Sequence, residues 1–178
     1  IITGPCHAEE VASEKLSYLT VAAYQLEIAE KVKQYLVGPY IKVKCSNDLL
    51  GAEYAAVMKN IYAIGAGIAH GLGYGDNFLA LYTSCAIREM EAFLNVLDPS
   101  DERDVNEAAY LGDLLVTCYS QFSRNRTFGN MLGKGYSVKA AQLEMNMVAE
   151  GYYASKLIYE KSNKNGLILP IADAVYQI

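Results

Sequence analysis

Leu50, Tyr54, Val57, Ile61, Ile64 and Ile68 recur at alternating steps of four and three, the spacing of one face of a helix. A second series with the same spacing, Ala52, Ala56, Lys59, Ala63 and Ala66, consists of small residues and one lysine. Bulk on one face and alanine on another predict a helix packed all round, with close backbone neighbours on its second face. Ser46-Asn47-Asp48 supplies capping residues, so this helix begins near Asp48. It runs into a glycine-rich turn, Gly71-Leu72-Gly73-Tyr74-Gly75, after which Leu79, Tyr82, Ala86, Met90, Phe93 and Leu97 continue a helical pattern.

The first 47 residues read differently. Residues 1–5 look like the end of a strand entering a turn at Gly4-Pro5, and a short polar helix follows from Ala8 to about Lys15. Tyr18–Ala23 is β-branched and apolar, Leu26–Leu36 carries apolar residues at helical steps, and Tyr40–Cys45 alternates apolar with basic side chains. Strand, helix and half-exposed edge strand predict a βαβ unit. Beyond Leu97 the acidic stretch Asp98–Asp104 reads as a solvated loop and Val105–Tyr110 as a short helix broken by Gly112. Further helices are expected at 113–119, from Thr127 to Leu132, from Val138 to about Met145 behind a Ser137 cap, from Tyr152 to Lys161, and after Leu169-Pro170. No strand is predicted after residue 48, so the chain reads as mainly α.

Composition narrows the class. Of 178 residues, 52% are hydrophobic and 20% charged, so core material is ample and disorder is excluded. A net charge of −5 without a basic tract argues against nucleic acid as a partner. No uncharged apolar run reaches the ~18 residues of a membrane span, so no membrane insertion is expected. Cys6, Cys45, Cys85 and Cys118 lie more than thirty residues apart, and the only imidazoles are His7 and His70. A structural metal site is therefore not expected, and isolated cysteines fit a reducing, cytoplasmic setting.

Three features could carry chemistry. Lys59 is either a stem that snorkels to water or a charge kept inside for chemistry. Ser123-Arg124-Asn125-Arg126, just ahead of a helix, offers a hydroxyl, guanidiniums and an amide where a phosphate or carboxylate would sit, or else forms a basic surface turn. Asp113 and Thr117, four apart, would face the same way on a helix and orient an amine or hydroxyl, unless Asp113 is a simple helix cap. The glycines at 65–75 do not make a dinucleotide fingerprint, because a helix precedes them and the spacing is G-x-G-x-x-x-G. They read as close-packing and turn residues.

Taken in order, Gly4-Pro5-Cys6-His7-Ala8-Glu9-Glu10-Val11, Met58-Lys59-Asn60, Gly71 through Asn77, Leu111 through Cys118, Ser123-Arg124-Asn125-Arg126 and Val148-Ala149-Glu150-Gly151 closely resemble bacterial NAD(P)-dependent glycerol-3-phosphate dehydrogenase. The resemblance covers nearly the whole chain. It implies an all-helical substrate domain, like the C-terminal domain of 6-phosphogluconate dehydrogenase, over 48–178, preceded by the end of a Rossmann domain over 1–47. It implies interconversion of sn-glycerol 3-phosphate and dihydroxyacetone phosphate with NAD or NADP, in the cytoplasm and in support of phospholipid synthesis. Lys59 matches the catalytic lysine, proton acceptor for the alcohol and donor to the ketone. Asp113 would act with it as a catalytic residue, holding and orienting the ammonium. Gly4, Cys6, Asp113, Ser123, Arg124 and Asn125 match substrate-contacting positions, and Ala8, Arg124, Val148 and Glu150 match cofactor-contacting ones. Cys6 stands where the family carries Ser or Thr, and His70 where it commonly carries Asp.

The same resemblance places the glycine-rich nucleotide loop upstream of Ile1 and a little more chain beyond Ile178. These 178 residues alone are therefore expected to bind NAD(P) weakly and not to turn over. Burial of Lys59 in an alanine-lined seam beside Arg124 would disfavour its charged form, and Asp113 would oppose that. Two other readings stand beside this one: a related dehydrogenase for a different hydroxy acid or sugar phosphate, and a non-enzymatic helical interaction module with a merely structural Lys59. The apolar helices leave a homodimer open.

Overall fold

The computed structural model describes residues 1–145 and 147–178. Three strands come first: β1 (Ile2–Thr3), β2 (Ser17–Ala22) and β3 (Ile41–Ser46), with α1 (Ala8–Ala12) and α2 (Leu26–Leu36) between them. β2 pairs in parallel with β3 across α2, as the βαβ pattern predicts, while β1 runs antiparallel to β2 with Thr3 opposite Thr20. At the β1 exit Gly4 adopts φ +126°, where a side chain would also meet the Tyr18 carbonyl oxygen at 2.6 Å, so the turn toward α1 requires glycine.

The remainder is helical: α3 (Leu49–Gly71), α4 (Asp76–Leu97), a π-turn (Ala108–Gly112), α5 (Asp113–Tyr119), α6 (Arg124–Gly133), α7 (Val138–Glu144), α8 (Glu150–Lys164) and α9 (Pro170–Tyr176). α3 is the axis of the molecule, packed against α4, α5, α6, α8 and α9. Ile61, Ile64, Ala52, Ala63 and Ala66 are all buried, so both of its predicted faces are covered. Its closest neighbour is α6. A methyl at Gly129 would sit 1.9 Å from the Ile64 carbonyl oxygen, and one at Gly67 would sit 2.1 Å from that of Arg126. Gly71 and Gly133 meet one turn further on, so a G-x-x-x-G pair on each helix lets the two backbones touch. The glycines of 65–71 are thus packing residues. Among the described residues no helix is long and apolar enough to cross a membrane.

Four expectations require correction. Helix α6 starts at Arg124, not Thr127, because the Ser123 hydroxyl accepts the Arg126 N–H at 3.3 Å and caps it. Helix α8 starts at Glu150, and Gly151 lies within its first turn, because it packs on the Asn60 backbone where a methyl would come within 2.4 Å of a carbonyl oxygen. Gly112 does not break the chain: a π-turn, beginning at Ala108 and not at Val105, leads directly into α5. The 98–104 loop is not wholly solvated either. The Arg103 side chain is only 1% exposed and pairs with Asp48 and Asp98.

Candidate active site

Lys59 lies midway along α3 and Asp113 opens α5. Their side chains meet, Lys59 Nζ donating to Asp113 Oδ2 at 2.5 Å. Asp113 is 2% exposed and Lys59 20% exposed, so the carboxylate is buried while the ammonium reaches a surface. Two more donors converge on the same oxygen: Thr3 Oγ1 at 2.8 Å and the Gly4 N–H at 3.0 Å. Asp113 is therefore not a helix cap. Its Oδ2 joins strand β1 and the turn after it to the α3 lysine. Thr117 lies on the same side, as the four-residue spacing predicts, and donates to the Asp113 carbonyl at 2.6 Å.

The Lys59 ammonium opens on a cleft of about 490 Å³ between the sheet and the helices, lined by Gly4, Cys6, Glu53, Ala56, Asn60 and Glu150 among others. Burial pushes the Cys6 thiol up from its ordinary value; a hydrogen bond with Ser17 opposes this and the Asp113 charge reinforces it. Cys6 therefore faces the cleft as a neutral thiol at neutral pH.

Beneath the cleft an amide relay joins three helices. Asn125 Nδ2 donates to Asn60 Oδ1 at 3.0 Å, Asn125 Oδ1 accepts the Gly151 N–H at 2.9 Å, and Asn60 Nδ2 donates to the Ala56 carbonyl at 3.1 Å. Ser123 and Asn125 are buried, the first as the α6 cap and the second in this relay. Arg124 points outward. Its guanidinium lies 3.8 Å from Glu150 and is 43% exposed, and it also approaches the Met147 sulfur. It is these groups, and not Lys59, that Arg124 meets. Val148 is exposed beside them, and Ala8 is exposed at the start of α1.

The predicted residues thus fall into three sets. Gly4, Cys6 and Lys59 line the cleft with Asp113 buried behind the lysine; Ser123 and Asn125 lie under it; Arg124, Val148 and Glu150 form a rim, with Glu150 shared between rim and cleft. Ala8, exposed on α1, belongs to none of the three. The rim set fits a dinucleotide: an exposed guanidinium for a phosphate, a carboxylate acceptor for ribose hydroxyls or an amide, and an apolar side chain. Sequence reasoning missed Thr3 and Asn60. Thr3 carries no local sign of a partner 110 residues away, whereas Asn60, next to Lys59, was visible as a neighbour of the lysine.

A family model described as NAD-dependent glycerol-3-phosphate dehydrogenase C-terminus matches residues 48–178. The glycerol-3-phosphate dehydrogenase (NAD(P)+) of Chlorobium limicola is 40% identical over 175 residues, covering 98% of this chain and 52% of its own length. That of Lacticaseibacillus paracasei is 38% identical over 178 residues, covering 100% and 50%. The crystal structure of glycerol-3-phosphate dehydrogenase from Coxiella burnetii superposes with a TM-score of 0.94 at 31% identity, over 99% of this chain and 54% of that one. The Saccharomyces cerevisiae enzyme gives 0.86 at 26%, over 99% and 54%. The chain spans about half the length of the curated relatives it matches. On the match of its helical domain to the family model and of its whole length to these relatives, the chain belongs to the NAD-dependent glycerol-3-phosphate dehydrogenase family.

Proposed function

We propose that the whole protein interconverts sn-glycerol 3-phosphate and dihydroxyacetone phosphate with NAD(P), and that Lys59 handles the proton. The observation that carries this reading is the 2.5 Å contact between a partly exposed lysine and a buried carboxylate on the wall of a cleft. NAD(P)+ when bound supplies the acceptor for the hydride leaving C2. This chain's residues do the rest. As a neutral amine Lys59 Nζ takes the proton of the C2 hydroxyl during oxidation and becomes the ammonium; in reduction the ammonium gives that proton to the carbonyl oxygen and returns to the amine. Asp113 holds Nζ in place, and is itself held by Thr3 and Gly4.

The substrate phosphate goes to Arg124 at the first turn of α6, in exchange for its loose 3.8 Å pairing with Glu150. Gly4 and Cys6 border the glycerol backbone. Ser123 and Asn125 act at the same end, Asn125 chiefly by fixing Arg124 and Glu150 through its relay. Ala8, Arg124, Val148 and Glu150 meet the cofactor. Residues 1–47 act as the end of a Rossmann domain and 48–178 as the substrate domain. We place the protein in the cytoplasm, on the path to phospholipids; exposed Tyr153 and Leu157 on α8 leave apolar surface for a homodimer.

The test is a substrate panel on the whole protein with NAD+ and NADP+. Turnover of sn-glycerol 3-phosphate far above that of other hydroxy acids and sugar phosphates is expected. A better alternative substrate overturns the assignment in favour of a related dehydrogenase.

A further inference from the structure

The Asp48 side chain does more than a helix cap requires. Its Oδ1 accepts the Gly51 N–H at 2.9 Å, which is the cap. Arg103 then closes on it as a fork, Nε to Oδ2 at 2.6 Å and Nη2 to Oδ1 at 3.0 Å, and the Tyr110 hydroxyl donates to Oδ2. Arg103 also holds the Asp98 carbonyl at 2.7 Å and its carboxylate at 3.0 Å. One buried guanidinium therefore ties the start of α3, the end of α4 and the approach to the π-turn. Lys44 of β3 adds an ion pair to Glu107, directly before that turn.

Both bolted segments lead to the catalytic pair. Lys59 lies eleven residues beyond Asp48 on the same unbroken helix, and Asp113 lies three residues beyond Tyr110 where the π-turn gives way to α5. π-Turns are rare and cluster at functional sites, because the extra residue re-aims the side chains beyond it. A slip of one residue between the two segments moves one partner by about 1.5 Å along the helix axis, enough to abolish a 2.5 Å hydrogen bond.

We propose that Asp48, Arg103 and Tyr110 are positioning residues that set the register of α3 against the π-turn and so hold Lys59 on Asp113. This rests on the reading of Lys59 as the proton-handling group. An arginine is needed because only its planar fork can hold two carboxylate oxygens and the Asp98 carbonyl together; lysine keeps the charge and loses the geometry.

The test uses Tyr110→Phe, which removes one hydroxyl, and Arg103→Lys, in the whole protein. Glu89→Gln serves as a control: Glu89 holds the N–H groups of Ile171 and Ala172 at the start of α9 and is no hydrogen-bond partner of Lys59, Asp113 or the clamp. Positioning predicts that both clamp variants lose kcat by about 10- to 100-fold with the KM for glycerol 3-phosphate nearly unchanged and a larger solvent deuterium isotope effect. Glu89→Gln lowers Tm with kcat and isotope effect unchanged. The clamp is overturned if folded Tyr110→Phe keeps the parent kcat and isotope effect, or if kcat merely follows Tm through all three variants. Amide exchange across residues 108–115 reads the clamp without turnover: faster exchange in Tyr110→Phe supports it, and unchanged exchange overturns it. Full activity of Lys59→Ala would instead overturn the proton-handling reading, leaving the exchange result to judge the clamp.

Discussion

Asp113 Oδ2 receives three donors, from an ammonium, a hydroxyl and a backbone N–H, on a carboxylate that is 2% exposed. Under the proposed mechanism such a group stays anchored while Lys59 exchanges a proton with the substrate, because the other two donors do not move with the lysine. Thr3→Val, which keeps the shape and removes one donor, is expected to lower kcat about 10- to 150-fold, in line with one hydrogen bond to a charged group being worth about 1.5–3 kcal/mol; steady-state kinetics check it. Cys6 lines the cleft as a neutral thiol. Cys6→Ser supplies a stronger hydrogen-bonding group at the same place, and a KM for glycerol 3-phosphate several-fold lower is expected with kcat little changed. Lys59 was legible as a lone charge among small residues, because periodicity reports which face a residue occupies. Its partnership with Asp113 was legible only through the family resemblance, since spacing says nothing of what approaches that face from 54 residues away. Asn125 was legible as a polar group at an anion site, yet its amide serves the relay with Asn60 and Gly151.

At the scale of elements, the α3–α6 seam holds the site together. Lys59 and Arg124 sit on helices whose backbones touch at Gly67, Gly71, Gly129 and Gly133. Gly129→Ala puts a methyl 1.9 Å from a carbonyl oxygen that belongs to rigid helix backbone, so the helices must separate. A loss of about 3 kcal/mol and a fall in Tm of roughly 6–12 °C are expected, measured by thermal denaturation. The α3 cap carries a pH signature. Burial alone would push the Asp48 carboxyl up, but the Arg103 and Tyr110 hydrogen bonds, the Arg103 charge and the Gly51 N–H together hold it below its ordinary 3.8. A depressed carboxyl contributes stability that is present above its unfolded value and lost as pH falls through its folded one. Asp48→Asn should therefore lower Tm by a constant margin from pH 7 down to about 5, and that margin should shrink below pH ~4. The capping role of Asp48 was visible in Ser46-Asn47-Asp48. The clamp was not, because an acidic loop gives no sign that its one arginine folds inward. Helix starts at Arg124 and Glu150 were displaced for a related reason. Tertiary contacts at Ser123 and Gly151 decided them against local propensity.

Across the whole molecule, the three-stranded sheet supplies β1 and the turn after it, the α3-centred helices supply Lys59, Asp113 and Arg124, and the cleft lies where they meet. The mainly helical architecture after residue 48 was readable from the 3.6-residue pattern alone. The βαβ pairing of β2 and β3 was readable too, while the antiparallel placement of β1 was not, since a two-residue strand carries no pairing information. Neither half makes the site by itself: Asp113 needs Thr3 and Gly4 from the strand end, and Lys59 needs Asp113. The central claim is that this pair moves the proton while the hydride moves elsewhere. The most direct measurement is kcat for glycerol 3-phosphate oxidation in Lys59→Ala of the whole protein, with folding checked by circular dichroism and Tm. A fall of about 10²- to 10⁴-fold in a protein that melts like its parent, partly restored by added methylamine, is the predicted result. A folded Lys59→Ala variant that turns over at the parent rate would contradict the account.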